Sequence, residues 1–340
     1  MRLGTDGAVG AAQLAAARAW WEGLVFGPRP ATWSRDTRRV LVTGFSRFGE
    51  HARNASAELL GHLTPELTVP RFPPPPADRR GTLSPEPYFS AAAEPVSWST
   101  ADGGDVGVMA VIVPVMWDLA AAVVLRAIEH VDPEVVVMMG IAGDTQPLWI
   151  ELGASNQTHA RPDVTGHLTP VPDARVLPGG PLVEGHRASF ELLLGAGRRA
   201  WKREEEVLGD VMPSVELVGF PRPRNAYVCN ATAYVVAHAL NHPRRELTLL
   251  EGSDDQRGVT FRFRRDRGHV PHVFLHWPSR LLAPPRAAAA ARILRALIVA
   301  QLDANAAAAT VHTGGDVRPT LWPTEPVWTE GASPALDGSV

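Results

Sequence analysis

Cys229 is the only cysteine among the 340 residues, and it stands where the apolar pattern of the chain changes its period. Residues 225–228 are typical of a short extended run, whereas residues 231–240 are small, apolar and compatible with a helix. A thiol at the turn into a helix meets partial positive charge and free N–H groups, which favour the nucleophilic thiolate. A lone cysteine is also compatible with a small buried hydrophobe. The residue type alone therefore leaves two interpretations of Cys229 open, a nucleophile and a buried core residue.

The composition indicates a globular chain and excludes several classes of protein. Apolar residues make up 45% of the sequence and the net charge is −3, which predicts a sizeable core and no electrostatic footprint for nucleic acid or a membrane surface. A single cysteine excludes an internal disulfide and a multi-cysteine zinc site, and it is typical of a cytoplasmic protein. The sequence has neither a transmembrane run nor the apolar core of a signal peptide. We therefore expect a cytoplasmic protein that binds neither nucleic acid nor membrane.

Alternating strand and helix patterns predict the elements that would position these residues. Continuous apolar runs of strand length are typical of strands buried on both faces, and their alternation with helices predicts an α/β fold. We expect a three-layer α/β/α sandwich with a mixed, mostly parallel central sheet. The predicted strands are 39–44, 95–99, 108–115, 134–140, 215–220 and 273–278, with a hairpin near 259–264; the predicted helices are 10–24, 54–63, 118–130 with Asp118 as N-cap, 188–206, 231–240 and 286–305.

Stretches rich in proline or charge mark the predicted boundaries of this domain. The sequence predicts a helical extension at 1–37, a single α/β/α domain at 38–309 and an extended or partly disordered tail at 310–340. Within the domain we expect two insertions, near 64–105 and 241–270.

Short motifs, taken together and in one order, resemble the pyroglutamyl peptidase I family of cysteine peptidases. The run V-L-V-T-G-F-S-R-F-G, which begins at Val40, resembles the opening motif of that family. The residues Y-V-C-N around Cys229 are similar to its nucleophile turn, and F-L-H-W-P around His276 is similar to its histidine strand. Glu151 falls where the family has its triad carboxylate, so the chain order Glu, Cys, His is also that of the family.

The resemblance implies a catalytic triad in which Cys229 attacks the carbonyl carbon of an amide. His276 would take the thiol proton and pass it to the leaving amine, and Glu151 would hold the imidazole in the required tautomer. The N–H of Cys229 would supply an oxyanion donor, with Arg161 as the family's assisting arginine. Each residue also has a plain structural interpretation, since Glu151 could be a surface carboxylate and His276 a core histidine.

The resemblance also implies a substrate pocket with aromatic walls. Phe45, Phe48 and Tyr227 match the aromatic positions that hold a lactam ring, and Asn54 matches a residue that organises the nearby loops. Aromatic faces bury a flat, neutral ring without demanding a charged partner, which suits an N-terminal pyroglutamyl group. Phe45 and Phe48 could equally be plain core residues. We expect a small peptide or amide as substrate and no cofactor, and a homo-oligomer is one expected state because family members associate.

Departures from the family pattern surround the expected pocket and leave the substrate open. Arg47 replaces a common proline, Glu50 a glycine, Ile141 a glutamine and Leu152 the arginine that usually follows the triad glutamate. One alternative is therefore a thiol amidohydrolase that acts on a different small amide or lactam. Another is a binding protein that keeps the fold without turnover.

Four histidines occur in pairs whose spacing a metal ion could use. His238 and His242 have helical spacing, and His269 and His272 have the spacing of a turn. No carboxylate or cysteine is grouped around either pair in the sequence, so we expect no metal site.

Overall fold

A seven-stranded mixed sheet forms the centre of the fold in the computed structural model. The strand order is β2-β3-β1-β4-β11-β5-β8, and the strands β3, β1, β4 and β11 run parallel to one another. β2 is antiparallel to β3, β5 is antiparallel to β11, and β8 runs parallel to β5. The strands are β1 (Arg38–Phe45), β2 (Ser90–Val96), β3 (Val106–Val113), β4 (Val135–Ala142), β5 (Leu148–Glu151), β6 (Gly153–Ser155), β7 (Val183–Gly185), β8 (Val215–Val218), β9 (Leu247–Leu250), β10 (Val259–Phe261) and β11 (His272–Pro278).

Helices cover both faces of this sheet. On one face α1 and α3 each pack against α5, and α2 packs against α4 on the other. The predicted three-layer sandwich is therefore confirmed. In the described residues, no helix is at once long enough and apolar enough to cross a lipid bilayer. The helices are α1 (Ala55–Leu63), α2 (Ala120–Val131), α3 (Phe190–Leu208), α4 (Val228–Asn241) and α5 (Pro284–Thr313), with a 3₁₀ helix at Ser279–Leu282.

The structure describes most of the predicted domain and only parts of the segments around it. The helix predicted at 10–24, the proposed cap Asp118, Phe48 and most of the tail lie outside the described residues. The described residues are 26, 33–34, 36–46, 53–65, 67, 90–96, 98, 100–101, 103–117, 119–158, 161–164, 175–219, 226–250 and 259–313.

The continuous apolar runs of the sequence form the central strands of the sheet. β3 and β11 are buried along their whole length, and β1 along nearly all of it, because helices cover the sheet on both faces. The predicted hairpin is confirmed as the antiparallel pair β9 and β10. β2 begins at Ser90, several residues before the predicted strand, because its pairing with β3 decides its start.

The boundary at Cys229 was also predicted wrongly. The extended run expected at 225–228 does not reach Val228, because α4 begins there instead of at residue 231. The N–H of Ala231 donates to the carbonyl of Tyr227 at 3.0 Å, which closes the first helical turn. Local β-propensity at Val228 is overridden by the helix that follows. Cys229 is therefore part of the first turn of α4 and does not precede it.

Gly44 allows β1 and α1 to approach closely. A Cβ atom at this position would lie 2.3 Å from the carbonyl oxygen of Ser56 and 2.6 Å from its carbon. Both are backbone atoms in the first turn of α1, so neither can rotate away. The packing of α1 against the sheet thus depends on the missing side chain of Gly44.

We predict that Gly44→Ala destabilises the protein by about 1–3 kcal/mol, because strand and helix must move apart. The midpoint of urea unfolding, followed by circular dichroism, measures this loss. Gly219→Ala is the matched control, since a Cβ there meets no atom within 4 Å. Equal midpoints for the two variants would contradict the close-approach argument.

Candidate active site

The expected carboxylate and imidazole lie on the same face of the central sheet. β11 runs between β4 and β5, and its His276 is opposite Gly140 on one side and Trp149 on the other. Glu151 is opposite Phe274, which lies two residues before His276 on the same strand. Because opposite residues and alternate residues share a face, Glu151, His276 and Gly140 all face the same layer.

A buried hydrogen bond joins Glu151 to His276. Nδ1 of His276 lies 2.7 Å from Oε1 of Glu151, and the two residues are 3% and 2% exposed. A carboxylate buried to this extent requires such a partner. Donation from Nδ1–H also fixes the tautomer, in which Nε2 is the ring nitrogen without a proton. The pair therefore has the geometry that a general base and the group orienting it require.

The thiol of Cys229 and Nε2 of His276 border one small space above Gly140. A Cβ atom on Gly140 would lie 3.1 Å from Sγ of Cys229 and 3.2 Å from Nε2 of His276. It would also lie 3.0 Å from Cζ of Phe274. Glycine at this position therefore leaves room for the sulfur and the imidazole to face each other. The structure brings together the three residues that the sequence analysis assigned to a triad.

The start of α4 gives the thiol a favourable electrostatic environment. Tyr227 is the N-cap and has extended backbone angles, and its side chain does not cap the helix. Cys229 is the second helical residue and is partly exposed. Its N–H is one of the first four of the helix, which have no partner within the helix. The helix dipole and these N–H groups stabilise negative charge at the sulfur and at a nearby oxyanion.

Asn230 fixes the position of this helix start, and the sequence analysis missed that role. Its Oδ1 accepts the N–H of Ser155 at 2.9 Å, and its Nδ2 donates to the carbonyls of Ser155 and Gln157 at 2.8 and 3.1 Å. Ser155 belongs to β6, which begins two residues after Glu151. The side chain of Asn230 therefore connects the nucleophile turn to the segment that carries the carboxylate. The signal for this role in the sequence was an asparagine directly after Cys229.

Aromatic and charged groups gather beside Cys229 around Tyr227. The phenol of Tyr227 donates to the carbonyl of Pro162 at 2.8 Å, and the guanidinium carbon of Arg161 lies 5.3 Å from its ring centroid. The indole of Trp117 meets the same ring edge-on at 5.1 Å and donates to the carbonyl of Arg161 at 3.1 Å. This arrangement places Arg161 against Tyr227, the N-cap residue of the helix that carries Cys229.

The electrostatics keep Tyr227 protonated. Burial raises the pKa of its phenol, the negative charges of Asp163 and Cys229 raise it further, and Arg161 opposes them. Tyr227 is therefore a permanent hydrogen-bond donor near neutral pH. A role of Tyr227 as an aromatic wall of the pocket stays a prediction.

Two of the other predicted pocket residues, Phe45 and Asn54, lie at the end of β1. Phe45 is the last residue of β1 and is 3% exposed, and β1 pairs with β4, the strand of Gly140, as far as Thr43 opposite Met138. Asn54 is the N-cap of α1, where its Oδ1 accepts the N–H of Ser56 and its Nδ2 donates to the carbonyl of Ser46. Asn54 thereby holds the end of β1 to α1. Roles for Phe45, Phe48 and Asn54 in substrate binding stay predictions.

Comparison with known proteins gives structural neighbours only. No protein-family model and no curated protein matches the chain. Pyroglutamyl peptidase I from Bacillus amyloliquefaciens aligns with a TM-score of 0.48 at 17% identity, over 77% of this chain and 97% of that one. A variant of pyrrolidone carboxyl peptidase from Pyrococcus furiosus aligns with a TM-score of 0.49 at 16% identity, over 78% and 99%. Pyrrolidone carboxyl peptidase from Thermococcus litoralis aligns with a TM-score of 0.49 at 16% identity, over 80% and 96%.

We predict that Gly140→Val lowers the reactivity of Cys229, because the new methyl groups separate the thiol from His276. Reaction with iodoacetamide near neutral pH should slow by roughly tenfold to 100-fold. Cys229 is the only cysteine, so mass spectrometry of the alkylated chain reports on this thiol alone. Gly219→Val, in open space after β8, is the control. A folded Gly140→Val protein that reacts like the wild type would show that the two groups do not cooperate.

Proposed function

We propose that this protein is a cysteine exopeptidase that hydrolyses the amide bond after an N-terminal pyroglutamyl residue. The observation that carries the proposal is the buried hydrogen bond between Glu151 and Nδ1 of His276, together with the position of Nε2 of His276, which borders the same small space as the thiol of Cys229. A nucleophile, a base and a group that orients the base are the parts that acyl transfer requires.

The proposed reaction has two steps, acylation and deacylation. Nε2 of His276 takes the thiol proton as Sγ of Cys229 attacks the carbonyl carbon, and the tetrahedral intermediate collapses when the imidazolium protonates the leaving amine. In the second step His276 takes a proton from water, which attacks the thioester and releases the free acid. Glu151 stabilises the imidazolium in both steps without itself accepting the proton.

The oxyanion of each intermediate needs donors that are in place before the reaction. The N–H of Cys229, in the first turn of α4, is one such donor. Arg161 is a second candidate, because it lies against Tyr227, two residues before the nucleophile. We assign Arg161 to charge stabilisation at this end of the site.

The pyroglutamyl specificity rests on the sequence motifs and on the aromatic residues at this end of the sheet. Tyr227 and Trp117 form one aromatic group beside Cys229, and Phe45 ends the strand next to Gly140. Aromatic faces of this kind suit a neutral lactam ring, which lacks the ammonium group of an ordinary N-terminus.

A different small amide or lactam is the second candidate substrate. Ile141 and Leu152 stand at the two positions where the resemblance implies glutamine and arginine. The loss of two polar side chains relative to the family pattern favours a substrate with fewer hydrogen-bonding atoms than a peptide. A panel of amides with different acyl groups distinguishes the two candidates.

We predict that the wild-type protein releases a fluorescent amine from a pyroglutamyl amide and that Cys229→Ala does not. The corresponding alanyl amide, which carries a free ammonium group, is the control substrate and should be cleaved far more slowly. Activity in Cys229→Ala would exclude this thiol as the nucleophile. A fast-alkylating thiol without turnover of any amide in the panel would favour a binding protein over an enzyme.

We predict that Glu151→Gln lowers kcat by roughly 10²- to 10⁴-fold, because the amide can present its N–H to His276 and favour the wrong tautomer. Steady-state kinetics on the preferred amide measure the effect, and KM should change little. Glu216→Gln on β8 is the matched control, since Glu216 accepts a hydrogen bond from Ser214, which directly precedes this edge strand. A Glu151→Gln enzyme with wild-type kcat would remove Glu151 from the mechanism.

A further inference from the structure

Three potential metal ligands meet at the far end of α4. His238 and His242 lie one helical turn apart, and Glu184 reaches them from β7, 54 residues before His238. Their ligand atoms all lie within 4.8 Å of one another. The sequence analysis expected no metal site here because it saw no neighbouring carboxylate, and the fold supplies that carboxylate.

One carboxylate oxygen faces both imidazoles. Oε1 of Glu184 lies 2.5 Å from Nδ1 of His238 and 3.2 Å from Nε2 of His242. Around a tetrahedral zinc ion with bonds of about 2.0–2.1 Å, ligand atoms are separated by roughly 3.3 Å. The His242 distance already matches this value, and the His238 distance needs to widen by less than about 1 Å.

Asn241 fixes the orientation of the carboxylate from outside the cluster. Its Nδ2 donates to Oε2 of Glu184 at 2.8 Å and to the carbonyl of Gly185 at 3.0 Å. The second oxygen of Glu184 is therefore occupied, and Oε1 is left for the two imidazoles. The Oδ1 atom of Asn241 is buried and accepts no hydrogen bond from the described residues. Such outer hydrogen bonds are a usual part of metal sites, where they orient the ligands.

The cluster combines a buried interior with an open side. Glu184 and His238 are 4% and 2% exposed, whereas the side chain of His242 is 35% exposed. Stacking on Tyr234, with ring centroids 6.1 Å apart, further fixes the imidazole of His238. An ion could enter past His242 and keep one water molecule as a fourth ligand.

We propose that Glu184, His238 and His242 bind a divalent transition-metal ion, with zinc as the best match. Two imidazoles and one carboxylate suit zinc, whereas magnesium and calcium require sites built mainly from oxygen. The bound ion would join β7 to the last turn of α4. Binding would also displace the protons that the carboxylate and imidazoles share.

This site is separate from the proposed peptidase chemistry. His238 lies nine residues after Cys229 in the same helix, which is about 14 Å along the axis of α4. Nothing in the metal proposal requires that Cys229 be a nucleophile, so either proposal can fail alone.

Zinc binding to the untagged full-length chain tests the proposal. Because zinc also binds a thiolate beside an imidazole, isothermal titration is performed on both the wild type and Cys229→Ala. We expect Cys229→Ala to bind one equivalent, and its Tm to rise by about 4 °C at a 100-fold excess over Kd. Magnesium should leave Tm unchanged.

Ligand variants in the Cys229→Ala background locate the ion. We expect His242→Ala and Glu184→Gln to bind zinc at least about 100-fold more weakly. The partly exposed His242 makes the first variant safe for folding, and His269→Ala outside the cluster is the matched control. Zinc binding that survives when His242→Ala or Glu184→Gln is combined with Cys229→Ala would place the zinc elsewhere. The absence of both binding heat and Tm shift up to millimolar zinc would leave the cluster as a hydrogen-bonded contact only.

Discussion

The buried hydrogen bond between Glu151 and His276 is the constraint on which the arrangement of the site depends. Removing one partner of such a pair costs about 3–5 kcal/mol, whereas replacing both with apolar residues is often neutral. The pair therefore contributes less to the stability of the core than apolar residues of similar size would. Its presence between the sheet and a covering helix favours a functional role. It exists only while β11 lies between β4 and β5 in the observed registers. Gly140, on the neighbouring strand, then leaves the room that the thiol needs.

The position of Cys229 depends on the helix α4, which is fixed by its contacts with the surrounding elements. Nearly all of its side chains are buried, because β6, β7, α2 and the central sheet surround it. A helix that is buried on all sides has no exposed face along which it can shift or rotate. Asn230 fixes its beginning to β6, and Asn241 and His238 fix its end to the β7 residue Glu184. The position of Cys229 above the sheet is thus held from both ends.

The sequence predicted the elements that have strong local signals. Long apolar runs indicated β1, β3, β4 and β11, whereas the triad that motif order suggested stays a prediction. The short strands β5, β6 and β7 escaped prediction, because three or four residues carry no reliable period and their pairing is decided by distant segments. For the same reason the sequence could not place Glu184 beside His238, or Asn230 against Ser155. Both contacts join segments that lie more than 50 residues apart.

The position of β11 in the strand order has a consequence for how the protein forms. In the described part of the chain, β11 is the last strand of the central sheet to be synthesised, yet it lies between β4 and β5. Before its insertion, β2, β3, β1 and β4 form one group of paired strands, and β5 and β8 form another. No strand pairing joins the two groups at that stage. A chain emerging from the ribosome therefore lacks both the imidazole of His276 and the strand that joins the two groups until residues 272–278 arrive. Such late, non-local closure makes folding slow and leaves two unpaired sheet edges exposed in the meantime.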